Sequence, residues 1–273
     1  MADSITDSKA AKNSIQWLPV LHGGMHCLMA GLIVCFIAMP ELAGLFCVSF
    51  LICAVVACMV GLNRQMPFQN ILMGAGTAAL IGSLAHALSA IHSWAIPFGP
   101  IYFHERCGTQ FMDLVPWSIP ILWMAAILGS RGTARVILRP WRKLKTYGYW
   151  QLGVTSLLAM VLDLAIEPYA TTSQHLWSWQ ATKIPLNWYG ASPLNFICWA
   201  LVALLIQAFA TPAMVKKRPG SRSPLDLLPV TAWLGMVILC AAGCAKSGLW
   251  PSVVADGVII LTTVGLVIPG ARW

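Results

Sequence analysis

Charge is what this sequence has least of. Asp, Glu, Lys and Arg make up only 10% of its 273 residues, and only nine residues in the whole chain are acidic, where an ordinary soluble domain carries about 25% charged residues. With 58% hydrophobic residues and a mean hydropathy of +0.74, a soluble globular reading is excluded. Strict apolar-polar alternation is also missing, which argues against a membrane β-barrel, whose strands alternate at about every second residue. The chain has no strong internal repeat, no low-complexity segment and no zinc or disulfide spacing. Its nine cysteines lie mostly inside apolar runs, where cysteine behaves as a small hydrophobe. Cys240 and Cys244, one helical turn apart, are the pair to consider for metal or redox chemistry.

Long apolar runs are what remains, several of them long enough to cross a roughly 30 Å hydrocarbon core as helices of about 20 residues. The expected fold is all-α, a polytopic helical membrane bundle of seven or eight transmembrane helices. Candidate spans are 17 to 39, 42 to 62, 71 to 91, 114 to 130, 148 to 166, 193 to 212, 226 to 245 and 251 to 269. Lys246 and Asp256 bracket the connection between the last two, which are candidates for tilted or re-entrant segments. Residues 1 to 16 are polar and mixed in charge, and the apolar run behind them lacks the form of a cleaved signal peptide. They are expected to be a cytoplasmic tail, with 17 to 273 a single membrane-embedded domain.

Basic residues set the orientation, because Lys and Arg gather in short cytoplasmic loops. Arg131, Arg135, Arg139, Arg142, Lys143 and Lys145 follow the fourth span, and Lys216, Lys217, Arg218 and Arg222 follow the sixth. An even span count then puts Lys9, Lys12, Arg64 and Arg272 on the same side. Both termini are expected to be cytoplasmic, in the cytoplasmic (inner) membrane. The net charge of +8 is explained by this topology and by anionic lipid, so nucleic acid is not an expected partner.

Two outer connections, 92 to 113 and 167 to 192, collect histidines, carboxylates and the aromatics Trp94, Tyr102, Phe103, Trp177, Trp179, Trp188 and Tyr189. Aromatic rings commonly form a belt at the headgroup level, but here they accompany Asp163 and Glu167, four residues apart and so on one helix face. An acidic residue inside a span costs about 2.5 to 3.5 kcal/mol to insert and faces the bundle interior. Pro168 is expected to end that helix, since the residue before a proline disfavours helical backbone. Asn195 sits at the start of the next span, placed to cap it or to hydrogen-bond across the bundle.

The run D-L-A-I-E-P-Y-A (163 to 170), W-S-W (177 to 179) and Y-G-A-S-P-L-N-F-I-C-W (189 to 199) resembles the carotenoid biosynthesis membrane family that includes carotenoid 1,2-hydratases and bisanhydrobacterioruberin hydratase. P-F-G (97 to 99) and the run from Val115 to Trp123 resemble that family's other half-signature, so the likeness covers about 85 to 205. The chain departs from the family pattern at Leu88, where a Glu is usual, at Trp94 and Ala95 in place of Thr-Gly, and at Ile101 and Phe103 in place of tyrosines.

The resemblance implies hydration, without redox cofactor or metal, of the terminal double bond of an acyclic carotenoid end group, or another proton-initiated step there such as cyclisation. In that reading Asp163 is the acid, and Glu167 or Asn195 positions water. Trp177, Trp179, Tyr189, Trp199, Phe98 and Tyr102 contact the substrate, and the aromatic faces of Trp177, Trp179 and Tyr189 stabilise a carbocation. The bilayer and the carotenoid are the expected partners, with other carotenoid-pathway enzymes a further candidate. Two other readings stay open. One is a non-catalytic carotenoid- or lipid-binding membrane protein, favoured by Leu88. The other is a haem or transport protein, for which His22 and His26, one turn apart, are candidate ligands. His26 or His86 is a candidate proton relay in place of the missing Glu.

Overall fold

In lipid every backbone N–H and C=O must find its partner within the protein, which leaves a long apolar run little choice but a helix. A computed structural model describes residues 3–91, 98–180, 186–214 and 226–272, with side chains from residue 19 onward apart from residue 40. His92, Trp94, Ala95, Pro97, Lys216, Lys217, Arg218, Arg222 and the side chains of Lys9 and Lys12 lie outside the described residues. Eight α-helices are present among the described residues: α1 (Asp3–Ala38), α2 (Ala43–Asn63), α3 (Phe68–Ala90), α4 (Ser118–Ile137), α5 (Tyr147–Pro168), α6 (Pro193–Met214), α7 (Leu228–Lys246) and α8 (Trp250–Arg272). Four short strands, β1 (Ile101–Phe103), β2 (Gln110–Phe111), β3 (Val115–Pro116) and β4 (Trp177–Trp179), form two two-stranded sheets between the helices.

Seven helices are long and apolar enough to cross a membrane, all but α4. The chain is an integral membrane protein. α4 is the inner helix of the bundle: it packs on α2, α3, α5, α7 and α8 and is buried along most of its length. A helix wrapped by other helices meets little lipid, so it can be less apolar than they are. It also differs from the span expected at 114 to 130. Residues 114 to 117 belong to the β2–β3 hairpin side of the connection, and the helix runs on to Ile137. Arg131 and Arg135 are therefore helical, with Arg131 only 3% exposed, and are not loop residues.

Close helix approach rests on small residues, as expected where apolar helices gain no hydrophobic drive from lipid. A Cβ on Gly82 of α3 would stand 2.2 Å from the Trp123 ring of α4, and one on Gly132 would stand 2.2 Å from Pro229 of α7. Gly82→Ala should therefore destabilise the bundle by about 1 to 3 kcal/mol through overpacking, read as a lower midpoint in thermal unfolding of the detergent-solubilised protein. A null effect would mean Trp123 has room to move.

Two polar ties join the helix ends. Asp226 accepts from the Leu228 backbone N–H at 3.0 Å at the start of α7, and lies 3.2 Å from Arg64 and 3.5 Å from His22. His22 thus faces a carboxylate, and no group of three or more His, Cys, Asp or Glu among the described residues is arranged to hold a metal. Lys246 donates to the Phe36 and Ile37 carbonyls, capping the end of α1. The last pair of spans is two continuous helices rather than re-entrant segments, joined by a turn in which Gly248 takes φ +72°. Asp256, expected at the edge of that connection, lies within α8, buried, with neither carboxylate oxygen partnered.

Candidate active site at one end of the bundle

α5 carries Asp163 and Glu167 one turn apart, at 0% and 1% exposure. It does not stop at Pro168. The helix continues through the proline into a wider π-helical turn, Tyr169–Ser173, contrary to the exit expected there. The reason is local. Proline has no N–H to give the Leu164 carbonyl four residues back, and the Trp188 indole N–H fills that place at 3.0 Å. Thr171 adds a hydroxyl bond of 2.7 Å to the Glu167 carbonyl. Trp188→Phe should leave the Leu164 carbonyl unpaired and lower stability by about 1 to 2 kcal/mol, which a denaturation midpoint in detergent would register; an unchanged midpoint would mean another donor takes its place.

The two outer connections are zipped together. β1 pairs antiparallel with β4, Ile101 opposite Trp179, Tyr102 opposite Ser178 and Phe103 opposite Trp177. Alternation along a strand then explains W-S-W: both indoles fall on one face, and both donate to Glu167 Oε2, Trp179 at 2.8 Å and Trp177 at 3.4 Å. Ser178 and Tyr102 take the other face, and Tyr102 is 40% exposed. Phe103 shares the inward face of β1 with the buried Ile101, and its ring lies 6.3 Å from Trp177 and 6.0 Å from His86.

Asn195, in the first turn of α6 and fully buried, joins the two carboxylates. Its Nδ2 donates to Asp163 Oδ2 at 2.8 Å and to Glu167 Oε1 at 3.3 Å. Its side chain thus hydrogen-bonds across the bundle, and the site is a triad of Asp163, Asn195 and Glu167. Glu167 collects three N–H donors and Asp163 only one. Asp163 Oδ1 and Asn195 Oδ1 have no partner within the protein, so each keeps an acceptor position for a further hydrogen bond.

One turn along α6, Trp199 stacks on Trp123 of α4 at 4.2 Å. Phe98 lies 6.2 Å from Trp199 and 4.8 Å from His86, held by a bond from its backbone N–H to Ser89 Oγ at 3.1 Å. The indole nitrogens of Trp123 and Trp199 and both nitrogens of His86 are buried without partners. No direct hydrogen bond therefore joins His86 to Asp163. Trp123, Phe103 and His86 join this aromatic cluster beside the substrate contacts expected from sequence. His86 is a relay candidate by residue type, but nothing in the local spacing shows a ring on α3 meeting one on α6. Tyr189 stands at the rim with φ 49°, its ring against Trp188 and its carbonyl accepting from Thr171.

Beside the triad, an apolar cavity of about 90 Å³ is lined by Leu122, Ile166, Tyr169, Ala170, Trp177 and Cys107 among others. It shares Trp177 with the acid pair. Burial pushes the Cys107 thiol up to about 11, so at neutral pH it lines the wall as an uncharged group.

A polytopic helical membrane protein with two buried carboxylates, an amide between them and a wall of indoles is equipped for proton chemistry on an apolar molecule. The family model described as carotenoid biosynthesis protein matches residues 44–263, and the chain belongs to that family. The match reaches from α2 into α8, well beyond the 85 to 205 on which the motif likeness rested. No curated protein and no solved structure matches the chain. A role in carotenoid biosynthesis follows from the family.

Proposed function

We propose that this protein hydrates the terminal double bond of an acyclic carotenoid end group, with Asp163 as the acid. The observation that carries the reading is the asymmetry of the buried pair. Two carboxylates this close in a dry site do not both ionise readily. The three N–H donors on Glu167 favour the charge there, and the bare Asp163 Oδ1 is the place for the proton.

In the reaction, the Asp163 proton is added to the CH carbon of the terminal isopropylidene group. The double-bond electron pair forms the new C–H bond and leaves a tertiary cation at the dimethyl carbon. The faces of Trp177, Trp179, Trp199 and Phe98 stabilise that cation, with Tyr189 and Tyr102 contacting the chain nearer the rim. Water directed by Glu167 and Asn195 attacks the cation, Glu167 takes the proton released, and its return to Asp163 completes the cycle. The product is a tertiary alcohol, one water heavier. Loss of a proton after ring closure instead would give a cyclised isomer from the same cation.

A C40 polyene dissolves in the bilayer, and the apolar cavity beside Trp177 supplies a berth for its end. The proposed orientation puts the triad at the non-cytoplasmic end of a bundle in the inner membrane, with both termini cytoplasmic. Co-expression in a lycopene-producing host tests the proposal. A pigment heavier by one water supports hydration, an isomer of unchanged mass supports cyclisation, and unaltered lycopene beside well-expressed protein points to binding alone.

A further inference from the structure

At the other end of α5 lies a second polar cluster that the proposed chemistry does not use. Tyr147 and Asp163 are sixteen residues apart, about 24 Å along a helix, so the two sites are separate. Arg131 and Arg135 occupy successive turns of α4 and point to the same face. Arg131 is 3% exposed, and its Nη1 donates to Gln207 Oε1 and Thr211 Oγ1 of α6, each at 3.3 Å. Gln207 is held in turn by bonds to Ser156 Oγ at 3.0 Å and the Leu152 carbonyl at 3.2 Å. Tyr147 also faces the pair, with Arg142 beside Tyr147.

Every one of these partners is neutral or positive. Among the described residues the ion pairs all go to Asp226, and none involves either arginine. Arg131 Nε and Arg135 Nη1 are buried with no acceptor. Two guanidinium groups on adjacent turns, Arg131 buried and Arg135 half-buried, with no counter-charge among the described residues, are costly unless an anion joins them.

We propose that Arg131 and Arg135 form a binding site for a phosphoryl group, carried by an anionic phospholipid headgroup or by a free phosphate. The chemistry selects phosphoryl because two separate N–H forks need an anion with several acceptor oxygens, and guanidinium pairs with phosphate in bidentate form. Depth agrees. Arg135 is two residues and Arg131 six from the end of α4, within about 9 Å of the helix terminus, where a headgroup phosphate reaches.

The test uses the full-length protein in detergent and measures thermal midpoints on titration with phosphatidylglycerol, phosphatidylcholine or inorganic phosphate. The expected result is a saturable rise with phosphatidylglycerol, and an apparent affinity about tenfold weaker in Arg135→Gln, which keeps the Arg131 bonds and so keeps the fold. Arg131→Lys, which retains the charge but loses the fork, should fall between. A rise with inorganic phosphate alone would assign the site to a soluble phosphate. Equal rises with both lipids, or titrations that Arg135→Gln leaves unchanged, would overturn the proposal.

Discussion

Asp163→Asn should abolish pigment conversion while leaving a folded protein. The amide is isosteric and keeps an acceptor for Asn195 Nδ2, which bonds the carboxylate at 2.8 Å, but it has no proton that can protonate an alkene. Loss of a positioned general acid costs about 10² to 10⁴-fold in rate, enough to drop turnover below detection in cells. Glu167→Gln should act differently. It retains an oxygen for the indoles of Trp177 and Trp179 but cannot take the proton of the attacking water. The cation would still form in that variant, so its signature is a shift from alcohol toward products of proton loss. Rates equal to wild type in Asp163→Asn would remove Asp163 from the mechanism.

Asn195→Ala should give the largest loss of stability among the site residues. One side chain supplies a donor to both carboxylates, and its removal leaves Asp163 with no partner at 0% exposure. A buried acceptor stripped of its donor costs about 1 to 3 kcal/mol, more when it is charged. The expected sum is about 3 kcal/mol, measured as a fall in unfolding midpoint. The double variant Asp163→Ala with Asn195→Ala should be less destabilised than the two single changes added together, because the pair fails as a unit. Additive losses would mean the bond contributes little.

Features that depend on local spacing were legible in the sequence. The Asp163 and Glu167 pair is a matter of four residues on a helix, and the long apolar runs announced the helices themselves. Asn195 was placed at a helix start, and its partners follow from how α6 meets α5. What the chain alone does not display is the pairing of β1 with β4, since the strands come from connections separated by α4 and α5. That pairing turns Phe103 inward and Tyr102 outward. Pro168 was legible as a breaker, yet tertiary structure overrode it through the π turn and the Trp188 donor. Arg131 and Arg135 read as loop charges for a similar reason: hydropathy treats an arginine as a boundary, and only the surrounding helices and Gln207 make room for it inside.

In the proposed mechanism a proton from the buried pair starts the reaction on carbon. Purified protein supplied with lycopene in heavy water tests it most directly, with the product examined by mass spectrometry and NMR. The expected result is one deuterium bound to the carbon next to the new tertiary centre, present in wild type and absent, along with the product, in Asp163→Asn. Product that carries no carbon-bound deuterium, or that forms equally well in Asp163→Asn, would contradict it.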